Sequence, residues 1–139
     1  MRRNKSGISG FTLVELVITI LILGVLVAIA VPNYTRTQER ARTQSAIVAL
    51  KLIRSAQEIY RGEYGGVYPS GGASQSTINA INTNLRLDLN EAEWDYSVTG
   101  YTSSFIARAD RVSGRYSSCI YQVNQGTFDP SPVNPADCP

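Results

Sequence analysis

Residues 11–31, FTLVELVITILILGVLVAIAV, are apolar apart from Thr12, Glu15 and Thr19. A helix rises about 1.5 Å per residue, so this run spans roughly 31 Å, the thickness of a bilayer's hydrocarbon core. The pattern changes at Asn33. Arg36, Glu39, Arg40 and Arg42 arrive together, and Ala46, Leu50, Ile53, Ala56 and Tyr60 then recur three and four apart, with Ala49 and Ile59 beside them. That is one apolar stripe with a polar opposite face, the mark of an amphipathic helix. The spacing predicts one helix over about residues 11–61, stopped by Gly62 and Gly65-Gly66. Pro32 lacks an N–H and crowds the carbonyl of Ala28, so a bend is expected there. Gly24 weakens the helix interior by about 1 kcal/mol relative to alanine.

Beyond residue 61 the period shortens. GEYGGVYPSGGASQS reads as a loop, with Tyr68 extended before Pro69. A short helix is expected over residues 76–85, with Leu87 and Leu89 beneath it. Trp94, Tyr96 and Val98 alternate with Asp95 and Ser97, a half-buried strand turned by Thr99-Gly100. Residues 101–109 and 115–123 read as two more strands, separated by Ser113-Gly114, and Gln125-Gly126 turns the chain again. The ending DPSPVNPADCP has four prolines and cannot lie inside a ladder; an irregular strap is expected.

Charge sharpens this picture. The 139 residues hold 13 basic and 11 acidic side chains, for a net charge of +2. Arg2, Arg3 and Lys5 precede the apolar run without any acid, and basic residues there place that end in the cytoplasm. The remainder is close to neutral, without the basic excess that drives non-specific nucleic-acid binding. Histidine is absent, which excludes Ser-His-Asp and Cys-His catalysis within this chain. Cys119 and Cys138 lie on the far side of the run, in an oxidising compartment, where a disulfide between them is expected over two free thiols. Two cysteines without histidine are too few for zinc. Asp88, Glu91, Glu93 and Asp95 form an acidic patch without EF-hand spacing, read as solvated carboxylates. Arg108, Arg111 and Arg115 cluster near a turn; a solvated face or a subunit contact is the preferred reading over a nucleic-acid backbone contact. No metal and no cofactor is expected.

A basic segment before an apolar run also fits a secretory signal, and Ala28 and Ala30 could mimic its cleavage site, but 21 residues exceed the usual signal core. KSGISGFTLVEL resembles the processing signature of type IV pilins and type II secretion pseudopilins. Lys5, Gly10, Phe11, Thr12, Leu13, Glu15 and Leu16 carry the resemblance, which is specific over residues 5–33. It implies an α+β pilin fold: a long helix, its apolar half in the membrane and its amphipathic half packed on a small antiparallel sheet of about three to four strands. It implies cleavage between Gly10 and Phe11 by a prepilin peptidase, N-methylation of Phe11, and retention of the apolar run. Residues 1–10 are then the leader, 11–32 the membrane and filament-core helix, and 33–139 the head. The head divides into a helix half (33–61), a loop with a short helix (62–92), and the sheet with a C-terminal disulfide loop (93–139).

Glu15 needs a reason, because a carboxylate at membrane depth is costly. It stands four residues after Phe11, on the same helical face. It can bind its own chain's amine, a neighbour's amine, or headgroup water. The resemblance favours the neighbour, whose pairing would fix the register between helices as one buried polar residue does in a coiled coil. Gly24 and Pro32 bound the segment where pilin helices loosen in a filament; close packing and a simple kink are the plainer alternatives. The expectation is a non-enzymatic subunit of a type IV pilus. It is a single-pass inner-membrane precursor that later forms an extracellular filament with copies of itself, through an inner-membrane assembly platform. Its tasks would be adhesion, twitching motility or DNA uptake. A type II secretion pseudopilin and a membrane-anchored DNA- or surface-binding minor pilin are the alternatives.

Overall fold

The computed structural model describes residues 10–69, 74–75, 77–90 and 93–138. The order is α1 (Leu13–Glu63), β1 (Ser74–Gln75), α2 (Ile78–Leu85), β2 (Trp94–Gly100), β3 (Phe105–Arg111), β4 (Ile120–Asn124) and β5 (Ser131–Pro132), then a 3-10 turn at Pro135–Asp137. The fold is α+β, a long N-terminal helix followed by an antiparallel sheet. The chain divides into two compact units, Met1–Gln38 and Glu39–Pro139, and α1 contributes to both.

In the first unit every described side chain is exposed, including all the large apolar ones from Phe11 to Val31. The mean hydropathy reaches 3.0 over an 18-residue window. An apolar surface of this extent marks a membrane or a protein partner. Helical structure continues through Gly24 and Pro32.

In the second unit the remainder of α1 lies against a five-stranded meander in the order β1-β2-β3-β4-β5, each neighbouring pair antiparallel. Two of the five, β1 and β5, are two-residue edge strands; β2, β3 and β4 are the long strands that alternation predicts. Ala46, Leu50 and Ile53 of α1 are fully buried, as are Val98, Phe105, Ala107 and Ala109 of the sheet. Register explains the alanines. Tyr96 pairs across to Ala109, which pairs to Tyr121, and Val98 to Ala107 to Val123. Small residues on the central strand sit between large ones on its neighbours, which fills the layer under the helix without overlap.

Boundaries depart from the expectations in four places. Thr99 and Gly100 remain paired in β2, and the turn falls later, closed by the Tyr101 N–H donating to the Ser104 carbonyl at 2.7 Å. The next strands start correspondingly later, at Phe105 and Ile120. Gly62 does not stop α1, which continues to Glu63. Gly65 does, at φ 72°, with the Gly66 N–H donating back to the Arg61 carbonyl at 2.9 Å; that six-to-one bond across a left-handed residue is a Schellman ending. The expected strap is partly regular, since Pro132 pairs with Tyr121 on the edge, the position where proline costs no ladder bond. The expected start of α2 at Ser76 lies outside the described residues, and the helix is seen from Ile78.

Candidate functional site

Three polar side chains open the otherwise apolar first part of α1. Thr12, Glu15 and Thr19 lie three and four apart, so they share one face of the helix. The Thr12 amide donates to Glu15 Oε2 at 3.1 Å, and the Thr12 hydroxyl donates to the same oxygen at 3.0 Å. In return the Glu15 amide donates to Thr12 Oγ1 at 3.2 Å. Thr12 is thus the N-cap and Glu15 the third helical residue of a capping box, satisfying backbone donors that a helix start leaves open. The negative charge also sits at the favourable end of the helix dipole. Thr19 turns its hydroxyl inward to the carbonyls of Glu15 and Leu16, at 3.0 and 2.8 Å. The signal for the box, Thr-x-x-Glu before an apolar run, is present in the sequence; the expectations attach a role to Glu15 and none to Thr12.

Phe11 is exposed, and a Cβ added to Gly10 or Gly24 would meet nothing within 4 Å. Open backbone at Gly10 suits an incoming protease. Asn33 donates through Nδ2 to the Ile29 carbonyl at 3.4 Å, one residue after Pro32.

Cys119 and Cys138 form a disulfide, with Cys119 fully buried. The loop it closes is also held by charge. Lys51 meets Asp129 at 2.6 Å, and Lys51 and Arg54 lie 5.4 and 5.3 Å from the ring centre of exposed Phe128. Arg54 donates to the carbonyls of Asn124 and Gln125. Cation–ring contacts of this kind, invisible to periodicity, tether a loop with few apolar contacts of its own.

The arginine cluster does not form one face. Arg111 is buried, contrary to the expected solvated or contact role. It donates to Glu39 at 3.2 Å and to the Ser113 carbonyl at 3.1 Å, has Glu93 at 3.9 Å, and lies over the Trp94 ring. Arg42 completes the network with Glu39 at 3.0 Å and Glu93 at 2.9 Å, while the Trp94 indole donates to the Arg42 carbonyl. A guanidinium desolvated this far needs such partners. Arg108 meets Asp110, and Arg115 lies near the Tyr116 ring. Glu93 is therefore an ion-pair residue and not a free member of the acidic patch; Glu91 lies outside the described residues. Asp137 accepts from Asn134 Nδ2 at 2.8 Å. Among the described residues no group of three or more Cys, Asp or Glu gathers as metal ligands would.

Tyr68 anchors the loop after α1. Its hydroxyl donates to Glu58 at 2.9 Å and accepts from Arg61, and its ring meets Phe105 edge-on. Burial, reinforced by the Glu58 carboxylate, raises its pKa.

Comparison with known proteins places these features. The family described as the prokaryotic N-terminal methylation motif matches residues 5–31. The type IV major pilin of Myxococcus xanthus is 43% identical over 54 residues, 39% of this chain and 24% of that protein. Core protein G of the Aeromonas hydrophila type II secretion system is 38% identical over 58 residues, 42% of this chain and 41% of that protein. Both matches thus cover less than half of the relative's own length. The type IV narrow pilus major component of Thermus thermophilus is 30% identical over 99 residues, 65% of this chain and 85% of the relative. No solved structure matches the chain. With the methylation motif on the apolar helix and a pilus component matched along most of its length, the chain belongs to the type IV pilin and type II secretion pseudopilin superfamily, as one of its non-enzymatic subunits.

Proposed function

We propose that this chain is the repeating subunit of a type IV pilus. The observation that carries the reading is the exposed apolar helix with one carboxylate near its start. Residues 1–10 act as a leader whose basic residues hold the precursor at the cytoplasmic face. Prepilin peptidase cuts between Gly10 and Phe11 and methylates the new amine. The helix stays in the inner membrane until the assembly platform extracts it, and it then becomes the filament core. Apolar helices have little hydrophobic drive to associate in lipid, so packing and polar pairing must select the geometry. Glu15 supplies the pairing by accepting the Phe11 amine of a neighbouring copy. A head-to-tail contact that does not close yields an open filament. Gly24 and Pro32 mark the stretch where the helix loosens as it leaves lipid. The filament serves adhesion, twitching motility or DNA uptake.

A pseudopilin is the second reading, favoured by the similarity to core protein G of several type II secretion systems. The pilus is preferred because a relative matched over 85% of its own length is a pilus component. Resemblance to major pseudopilins would imply calcium binding in the C-terminal region, and Asp129 and Asp137 there are engaged with Lys51 and Asn134, which supports the pilus. A calcium-dependent rise in the melting temperature of the detergent-solubilised chain would favour the pseudopilin.

Mass spectrometry of filaments sheared from cells tests the proposal. The expected product starts at a methylated Phe11; any other start overturns the reading. Glu15→Gln keeps shape and removes charge, and is expected to cut filament yield by at least about tenfold through the neighbour's unpaired amine.

A further inference from the structure

We propose that Arg36, flanked by Tyr34, binds the phosphates of phospholipid headgroups where α1 leaves the outer face of the membrane. The inference rests on the reading of residues 11–31 as a membrane helix and adds a lipid site at its far end. Among the described residues of the first unit, Glu15 and Arg36 are the charged side chains. The stretch between them, residues 16–35, spans roughly 30 Å, the thickness of a hydrocarbon core. Measured instead from the end of the apolar run, Arg36 lies about 7.5 Å past Val31. A headgroup layer is roughly 5–8 Å deep on each side of the core. Helical side chains lean toward the N-terminus, here toward the lipid, so both measures put the guanidinium in that layer.

The polar side chains around Arg36 are turned in on their own helix. Asn33 donates to the Ile29 carbonyl at 3.4 Å, Thr35 to the Pro32 carbonyl at 3.0 Å, and Thr37 to the Asn33 carbonyl at 2.9 Å. Groups satisfied in this way tolerate the edge of the lipid. Tyr34 is 63% exposed, and its hydroxyl accepts from Gln38 Nε2 at 2.7 Å. Gln38 lies one turn further from the apolar run, so the hydroxyl is held on the water side and the ring is left to the lipid, as in an interfacial tyrosine. Arg36 differs from these neighbours: it is exposed and takes part in no ion pair among the described residues. Basic residues favour the cytoplasmic side, so a cation at the outer face needs a counter-ion. Phosphate is the anion that layer supplies, and a guanidinium binds it through paired hydrogen bonds. Sinking the helix would desolvate the charge and withdrawing it would strip the phosphates, so the site fixes the depth of the precursor until it is extracted.

The test reconstitutes the full chain, with its arginines isotope-labelled at Cζ, in vesicles of phosphatidylethanolamine and phosphatidylglycerol. A carbonate wash first establishes whether the chain is embedded. Solid-state NMR then measures dephasing of the guanidinium carbons by lipid phosphorus in wild type, in Arg36→Gln and in Arg115→Gln, whose exposed arginine is a charge-matched control. The signal lost in Arg36→Gln is expected to be one that phosphorus dephases, and Arg115→Gln is expected to keep the full dephasing of wild type. A lost signal without phosphorus dephasing overturns the inference, as does an equal loss of dephasing in Arg115→Gln. Correlation of the Arg36 guanidinium with labelled carboxyl carbons would make a second copy's acid its counter-ion and overturns it too. Release of the chain by carbonate sinks the membrane reading of residues 11–31 itself; a carbonate-resistant chain whose Arg36 is not dephased sinks only the phosphate site.

Discussion

Gln57 is the residue whose chemistry fits its surroundings worst. It is fully buried in the second unit, and neither Oε1 nor Nε2 has a hydrogen-bond partner. An unsatisfied buried amide costs about 1–3 kcal/mol, and an apolar side chain of similar volume avoids that cost. Gln57→Leu is therefore expected to stabilise the chain by about that amount, read as a higher urea midpoint with an unchanged slope; a lower midpoint would mean the amide is satisfied after all. Tyr96 carries a second residue-scale effect. Burial pushes its pKa from 10.0 up to about 12, and burial raises Tyr121 in the same direction. Between those values the unfolded chain releases a proton that the folded chain keeps. Stability is thus fully present below about pH 10 and is lost as pH rises toward 12. Tyr96→Phe should move the alkaline limb of unfolding, followed by Trp94 fluorescence, to higher pH. An unmoved limb would assign the loss to another group.

At the scale of elements, the two helices of the described chain end alike with different residues. Gly65 occupies the left-handed position after α1, at φ 72°, and Arg86 occupies it after α2, at φ 53°. In both, an amide donates back five residues, Gly66 to Arg61 and Leu87 to Asn82. A Cβ in this conformation costs roughly 1–2 kcal/mol, and glycine escapes it. Gly65→Ala should therefore destabilise the chain by about 1 kcal/mol, and Arg86→Gly should stabilise it by a similar amount less the entropy glycine adds to the unfolded state. Thermal melts of the two variants should move in opposite directions; a common direction would refute the argument. The glycine ending of α1 was legible as a cluster, but not which glycine acts. Gly62 is tolerated because a helix interior accepts glycine at about 1 kcal/mol, whereas the left-handed site selects Gly65. Arg86 had no signal at all, because its conformation is imposed by the packing of Leu85 and Leu87.

At the scale of the whole molecule, the C-terminal segment depends on covalent and ionic ties. Cys119 and Cys138 are 19 positions apart, so their disulfide closes a loop worth on the order of 3 kcal/mol. The double variant Cys119→Ala, Cys138→Ala should lose about that much stability and open the segment around β5 to proteolysis before the rest of the sheet. Simultaneous loss of both would show that the loop and sheet melt as one unit. The expected disulfide came from compartment logic, which needs no coordinates. The ion network of Arg111, Glu39, Glu93 and Arg42 did not, since its members are up to 72 positions apart and only pairing of β2 with β3 and packing of α1 bring them together.

The sequence by itself determined the apolar helix, the amphipathic stripe and the alternating strands. Each of these is a local period or a short motif, and the hydrophobic effect acts on it residue by residue. Tertiary structure alone decided where the strands begin and end, which arginine is buried, that Gln57 is left unsatisfied, and how Lys51 and Arg54 hold the Phe128 loop. Those outcomes depend on the desolvation a side chain meets when a distant segment covers it. No window along the chain contains both partners.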